Sequence, residues 1–139
     1  MAHRRLIRKI LALIAIGIAV AVGSMILSKD AFSGNREDIV SDLAHIAARA
    51  HQYYRRPIAL GGGGRSFVGL WADYTGSAKI IPWPGGKNSN GTYLIQSAGT
   101  ANQVVIEAWG NERLPDSSRL TLRIVVRDGG RTDSLYESN

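Results

Sequence analysis

His45 and His51 stand six positions apart in a stretch of helical periodicity, so they project from different faces and do not make a metal pair. His3 lies apart from both, in a basic leader. Ser24, Ser28, Ser33 and Ser41 have no nucleophile-elbow context, and no Ser-His-Asp order stands out. Glu37, Asp38 and Asp42 are better read as the acidic start of a helix than as a general acid and base. The glycine run Gly61–Gly64 lacks the Gly-Lys-Ser/Thr ending of a phosphate loop and precedes a strand-like segment, so it reads as a flexible turn. Trp71, Trp83 and Trp109 suit either a ligand-stacking platform or a sheet core, and the core is the commoner use of such residues. Asn90-Gly91-Thr92 is an N-glycosylation sequon in a turn-rich loop, which makes Asn90 a candidate glycan acceptor. The chain has no cysteine, hence no disulfide framework and no thiolate metal site. These residues point away from an enzyme and call for no metal and no cofactor.

The elements around them are more informative than the residues. Ile10 to Ser28 is an uncharged, mostly apolar run, preceded by Arg4, Arg5, Arg8 and Lys9 and followed by Lys29 and Asp30. As a helix it would reach roughly 28 Å, close to the thickness of a bilayer core. Three readings compete. A cleaved signal would use Ala19-Val20-Ala21 or Ala21-Val22-Gly23 as its small-residue site. A permanent anchor fits the length and the charged flanks. A helix that leaves the membrane to pack with copies of itself fits the composition. On a helix Ala15, Ala19 and Gly23 form one small-residue stripe, and Gly17 and Ala21 form a second about 160° around. Ile14, Ile18 and Val22 form a ridge between them. Such stripes let helix backbones approach closely, and two of them suit a helix with several neighbours. Leu11, Ile14, Ala15, Gly17, Ile18, Ala19, Ala21, Val22 and Gly23 are therefore the candidate assembly core.

The net charge of +6 is not a nucleic-acid signal. Seventeen cations face eleven acids, and with Arg4, Arg5, Arg8 and Lys9 set aside the remainder carries +2. A basic flank before an apolar run follows the positive-inside rule and leaves the rest of the chain on the outer face. Residues 1–30 thus form a basic leader with a transmembrane or filament-core helix, and residues 31–139 an extracellular α+β head. From Ser33 to Arg56 the residues Ile39, Leu43, Ile46, Ala47, Ala50 and Tyr54 recur at helical spacing. Ser33 or Asn35 can cap this helix, and Pro57 stops it. Arg49, Arg55 and Arg56 near its end complement its dipole. Beyond the glycines, Ser66–Tyr74, Ala78–Trp83, Thr92–Ser97, Gln103–Trp109 and Arg119–Arg127 read as strands separated by Gly, Asn, Pro and Ser clusters. In the last of these Leu120, Leu122, Ile124 and Val126 alternate with polar residues, as in an antiparallel strand with one wet face. The expected fold class is α+β: a long N-terminal hydrophobic helix continues into an amphipathic helix packed on a C-terminal antiparallel β-sheet.

This layout resembles the type IV pilins and pseudopilins. The resemblance spans the whole chain in architecture. Its motifs are absent, because Ile7–Met25 holds neither the phenylalanine of the family's cleavage site nor its early glutamate. The resemblance implies a structural subunit of a pilus-like filament, a homo-oligomeric helical polymer held by the N-terminal helix. Such a subunit resides in the inner membrane before assembly and at the cell surface after it, with no nucleic-acid partner and with glycans as covalent additions. The alternative is a single-pass membrane-anchored binding or accessory domain of a bacterial envelope complex, whose contact surface is the Trp-containing loops.

Overall fold

The amphipathic segment forms a helix, α1, over residues 33–55. Its stripe of Ile39, Leu43, Ile46, Ala47, Ala50 and Tyr53 is buried, while Tyr54 packs half-buried beside it. A four-stranded antiparallel meander covers that stripe, in the order β1 (Gly91–Ser97), β2 (Gln103–Arg113), β3 (Arg119–Arg127) and β4 (Thr132–Ser138). The structure is a computed structural model that describes Ile7, Lys9 and residues 33–113, 116–130 and 132–138, with β4 beyond Thr132 described by its backbone alone. The apolar run and its stripes lie outside the described residues. Among those described, no helix is long and apolar enough to cross a membrane.

Strand alternation builds the other half of the core. Tyr93 and Ile95 of β1, Val104, Ile106 and Ala108 of β2, and Leu120, Leu122, Ile124 and Val126 of β3 all face α1 and are buried. At one end of the sheet the helix comes closest. There Gly91 pairs with Gly110 across β1 and β2, and a Cβ at Gly110 would stand 3.2 Å from the Ile39 Cδ1 and 2.5 Å from the Asn35 side-chain oxygen. Any larger pair would lift the helix off the sheet.

Pro57 ends α1, and the glycine run then folds back to cap it. The amides of Gly63, Arg65 and Gly64 donate to the carbonyls of Tyr53, Tyr54 and Arg56 at 2.7, 2.7 and 3.0 Å. The last turn of a helix leaves such carbonyls without partners inside the helix. Gly62 and Gly63 are buried, and a Cβ on either would run into backbone carbonyls, of Arg56 and of Ser66. The run is therefore a packed cap, not the loose turn that its composition suggests. Ser33 and Asn35 are both already helical, so neither acts as the N-cap; the Asn35 amide donates across to the Asn90 carbonyl at 2.8 Å.

Two expected strands are not strands. Ser66–Tyr74 and Ala78–Trp83 belong to a coiled connection that holds one short helix, α2 (Tyr74–Ser77), started by the Asp73 carboxylate accepting from the Gly76 amide at 2.6 Å. Phe67, Leu70, Ile80 and Ile81 still reach the core, but from turns, because the Phe67 amide and the Leu70 carbonyl bond to Thr100 and Gly99 of the β1–β2 turn. Apolar content marked these residues as buried, and the turn chemistry of Asp73 decided their backbone. Conversely, β4 follows no apolar alternation, and it pairs with β3 at the sheet edge.

Two substitutions test this packing with opposite signs in urea denaturation. Leu43→Ala removes a fully buried side chain and is expected to cost about 2–5 kcal/mol. Gly34→Ala, at an exposed helical position with nothing within 4 Å, is expected to stabilise by about 0.5–1 kcal/mol.

Candidate functional site

The residues with chemistry fall into three places on the head. The first is the seam between α1 and the loop entering β1. One oxygen of Asp42 accepts from Asn88 Nδ2 at 2.8 Å, Asn90 Nδ2 at 2.9 Å and the Tyr93 hydroxyl at 2.5 Å. Asn111 Nδ2 donates to the Ser89 carbonyl at 2.8 Å, and its amide donates to the Asn90 carbonyl at 3.1 Å. Asp42 is thus a tie between helix and sheet and not an element of the helix start. The Tyr93 ring is buried, and burial first, then the Asp42 carboxylate, hold its phenol well above the ordinary tyrosine range. The sequon asparagine sits inside this seam. The nitrogen that a glycan would take is the one donating to Asp42, so a sugar on the folded head has to share it with the network.

The second place is an open groove of about 380 Å³ between α2 and β1, lined by Tyr74, Pro82, Trp83, Pro84, Tyr93 and Leu94 among others. Trp83 leans on Tyr93 with ring centroids 4.9 Å apart, and His45 lies 6.5 Å from Trp83. The three tryptophans do not meet. Trp71 is exposed, Trp83 is half-buried at the core's edge, and Trp109 alternates with Ala108 and Gly110 on the face of β2 turned away from α1. They form neither a common platform nor the centre of the core.

The third place is the far end of the head, where α1 stops. Ile58 and Leu60 are 75% and 70% exposed there, with Val68 nearby in a shallow groove formed with Tyr53, the glycine run and Lys79. Lys79 Nζ donates to the Gly69 carbonyl at 3.0 Å and lies 5.6 Å from the Tyr53 ring, whose hydroxyl donates to the Val68 carbonyl at 2.7 Å. Arg49 Nε donates to the Ile80 carbonyl at 3.0 Å, so this cation is committed within the head. Beside this groove lies a second cleft, lined by His51, Tyr54, Arg55, Arg65, Gly129 and Gly130. Besides His51, Arg55, Arg56 and the glycine run, the sequence marks this end with an apolar Ile58-Ala59-Leu60 directly after a helix-stopping proline, outside any periodic segment.

Of the other sequence candidates, Glu37 and Asp38 are exposed on α1, as are Ser33 and Ser41. No group of three or more His, Cys, Asp or Glu among the described residues is placed to hold a metal ion. Leu11, Ile14, Ala15, Gly17, Ile18, Ala19, Ala21, Val22 and Gly23, together with His3, Ser24 and Ser28, lie outside the described residues.

The seam makes a prediction with a definite sign. With its pKa raised on folding, Tyr93 contributes fully while both states keep the proton, below about pH 10. Above that the unfolded chain loses the proton first, so stability falls as pH rises. Tyr93→Phe is expected to lose about 1.5–3 kcal/mol at pH 7, the worth of a hydrogen bond to a charged group. Its urea midpoint is then expected to fall less than that of the native chain between about pH 9 and 11.

Comparison of the chain with protein-family models, with curated proteins and with solved structures finds no match in any of the three.

Proposed function

We propose that this chain is the structural subunit of a pilus-like extracellular filament that polymerises through its hydrophobic N-terminal helix, and that it is not an enzyme. The observation that carries the reading is the start of α1. Residues 33 and 34 are already helical and exposed, and nothing lies within 4 Å of a Cβ at Gly34, so α1 is helical and uncovered up to the point where the chain leads back to the apolar run. That run offers Ala15, Ala19 and Gly23 on one stripe and Gly17 and Ala21 on another. In this reading the subunit waits in the inner membrane and then moves to the cell surface, its helices packed at the centre and its sheet facing outward. Glycans on Asn90 would be a surface addition.

A second reading, a membrane-anchored binding or accessory domain of an envelope complex, is favoured by the open groove at Trp83 and Tyr74. Electron microscopy of surface material separates the two. Fibres built from this chain support the filament, and single particles in membrane extracts support the anchored domain. Ala19→Leu or Gly23→Leu is expected to reduce fibre yield at least several-fold while the head keeps its melting temperature. Normal fibres from both variants would make the stripes incidental.

Charge along α1 offers a test of register. Asp42 and Arg49 are used inside the head, which leaves Glu37 and Asp38 at one end and Arg55 and Arg56 at the other. These clusters are about 27 Å apart along the helix. Contacting subunits staggered by that amount would pair opposite charges, each exposed pair contributing about 0–1 kcal/mol and repeating along the polymer. Reversal of Glu37 and Asp38 to Lys is expected to block fibres or change their symmetry, and Arg55→Glu with Arg56→Glu is expected to restore them in part. Fibres unchanged by the first pair of substitutions would confine these charges to the dipole of their own helix.

A further inference from the structure

The cleft between the last turn of α1 and the β3–β4 turn has a chemistry that the filament reading touches only at Arg55. It measures about 390 Å³, and its lining is His51, Tyr54, Arg55, Arg65, Gly129 and Gly130. Two arginines thus line one opening. Among the described residues neither has an ion-pair partner, whereas Arg123 pairs with Glu107. The adjoining turn's own carboxylate, Asp128, is not part of the lining. His51 Nε2 is buried with no hydrogen-bond partner. Burial first, then the nearby Arg55 charge, hold this imidazole below its ordinary pKa, so a neutral ring, with its Nε2 covered, adds no charge behind the opening.

The backbone is arranged to the same end. Arg65 has φ +67°, the left-handed region that glycine occupies without cost and other residues enter only under strain. It follows four glycines, and its amide donates to the Tyr54 carbonyl at 2.7 Å, which holds it there. A strained non-glycine residue kept by its surroundings is a reason to ask what its side chain does. Across the cleft Gly129 and Gly130 have φ +75° and +83°, and a Cβ at Gly130 would stand 4.0 Å from Arg55 Nη2. The turn is therefore low beside the guanidinium. Tyr54, braced against Phe67 with ring centroids 4.9 Å apart, supplies an aromatic wall. Anions are disfavoured at a bare helix C-terminus, but here the carbonyls of Tyr53, Tyr54 and Arg56 are already taken by the glycine-run amides.

We infer that this cleft binds a tetrahedral oxyanion of the phosphate or sulfate ester class, gripped by the forks of Arg55 and Arg65 with His51 at the back and the ester's organic part against Tyr54. Planar guanidinium forks match such oxygens two at a time, and the volume exceeds that of a bare ion. The inference does not depend on polymerisation.

The test uses the full chain in neutral detergent, titrated by calorimetry with inorganic phosphate, inorganic sulfate, glucose 6-phosphate and glycerol 3-phosphate at constant ionic strength. Saturable binding is expected, tighter for an ester than for the bare ion. The preferred ester assigns the source: glycerol 3-phosphate stands for a lipid headgroup and glucose 6-phosphate for a sugar ester. Arg55→Gln is expected to weaken binding tenfold or more. Arg65→Gly is the sharper variant, because it relieves the strained φ: its melting temperature without ligand is expected to rise while binding falls tenfold or more. Arg56→Ala and Lys79→Ala, which line a separate neighbouring cleft with Arg49, Gln52, Tyr53 and Gly61, are expected to change affinity less than twofold. Heat that tracks ionic strength without saturating, or Arg65→Gly binding as tightly as the native chain, would overturn the inference.

Discussion

A helix can lie flat on a twisted sheet only where the side chains between them are of matched size, and the placement of α1 is what the rest of the head depends on. Ile39, Leu43, Ile46 and Ala50 lie along the helix at intervals of three or four, and each meets the inward residues of β1 to β3. At the start of the helix the spacing is set by the paired Gly91 and Gly110, which leave room for Ile39 and Asn35. One turn further on it is set by Asp42. A carboxylate in this half-covered seam needs partners for its lone pairs, and Asn88, Asn90 and Tyr93 supply three donors to one oxygen. Together the glycine pair and the carboxylate hold the helix at a fixed height and a fixed rotation.

That placement sorts the charged residues. A cation or anion on the side of α1 next to the sheet or its connections becomes internal, as Asp42 and Arg49 do. Others, Glu37, Asp38 and Arg56 among them, keep exposed side chains. The two ends of the head then differ in kind. The end near residue 33 is polar and closed by asparagine side chains bridging loops. The end at Pro57 carries exposed Ile58 and Leu60, a glycine cap and two clefts lined by basic residues. A subunit with unlike ends suits directional stacking, and it equally suits a domain that offers one end to a partner.

Much of this was legible in the chain. The helix over 33–55 and the alternation of Leu120, Leu122, Ile124 and Val126 follow from periodicity, since a repeating pattern in one segment specifies one buried face whatever it packs against. The strand pattern failed between Ser66 and Trp83, where Phe67, Leu70, Ile80 and Ile81 are apolar because they are buried, yet Asp73 and the β1–β2 turn determine how the chain runs between them. It failed also for β4, whose residues carry no apolar alternation and whose strand state rests on hydrogen bonds to β3.

Residue types and order by themselves determined the segments: a basic flank, an apolar run, an amphipathic helix ended by proline, and a sheet with one covered face. These depend only on local spacing and on the hydrophobic effect acting along one element at a time. The tertiary structure decided which residues meet. Asp42 and Tyr93 are far apart in the chain, as are His51 and Gly130, and no local pattern links either pair. Their chemistry exists only because the core brings the helix onto the sheet. The glycine run shows the same division. Its composition promised freedom, and the unpaired carbonyls at the end of α1 turned that freedom into a tightly fitted cap.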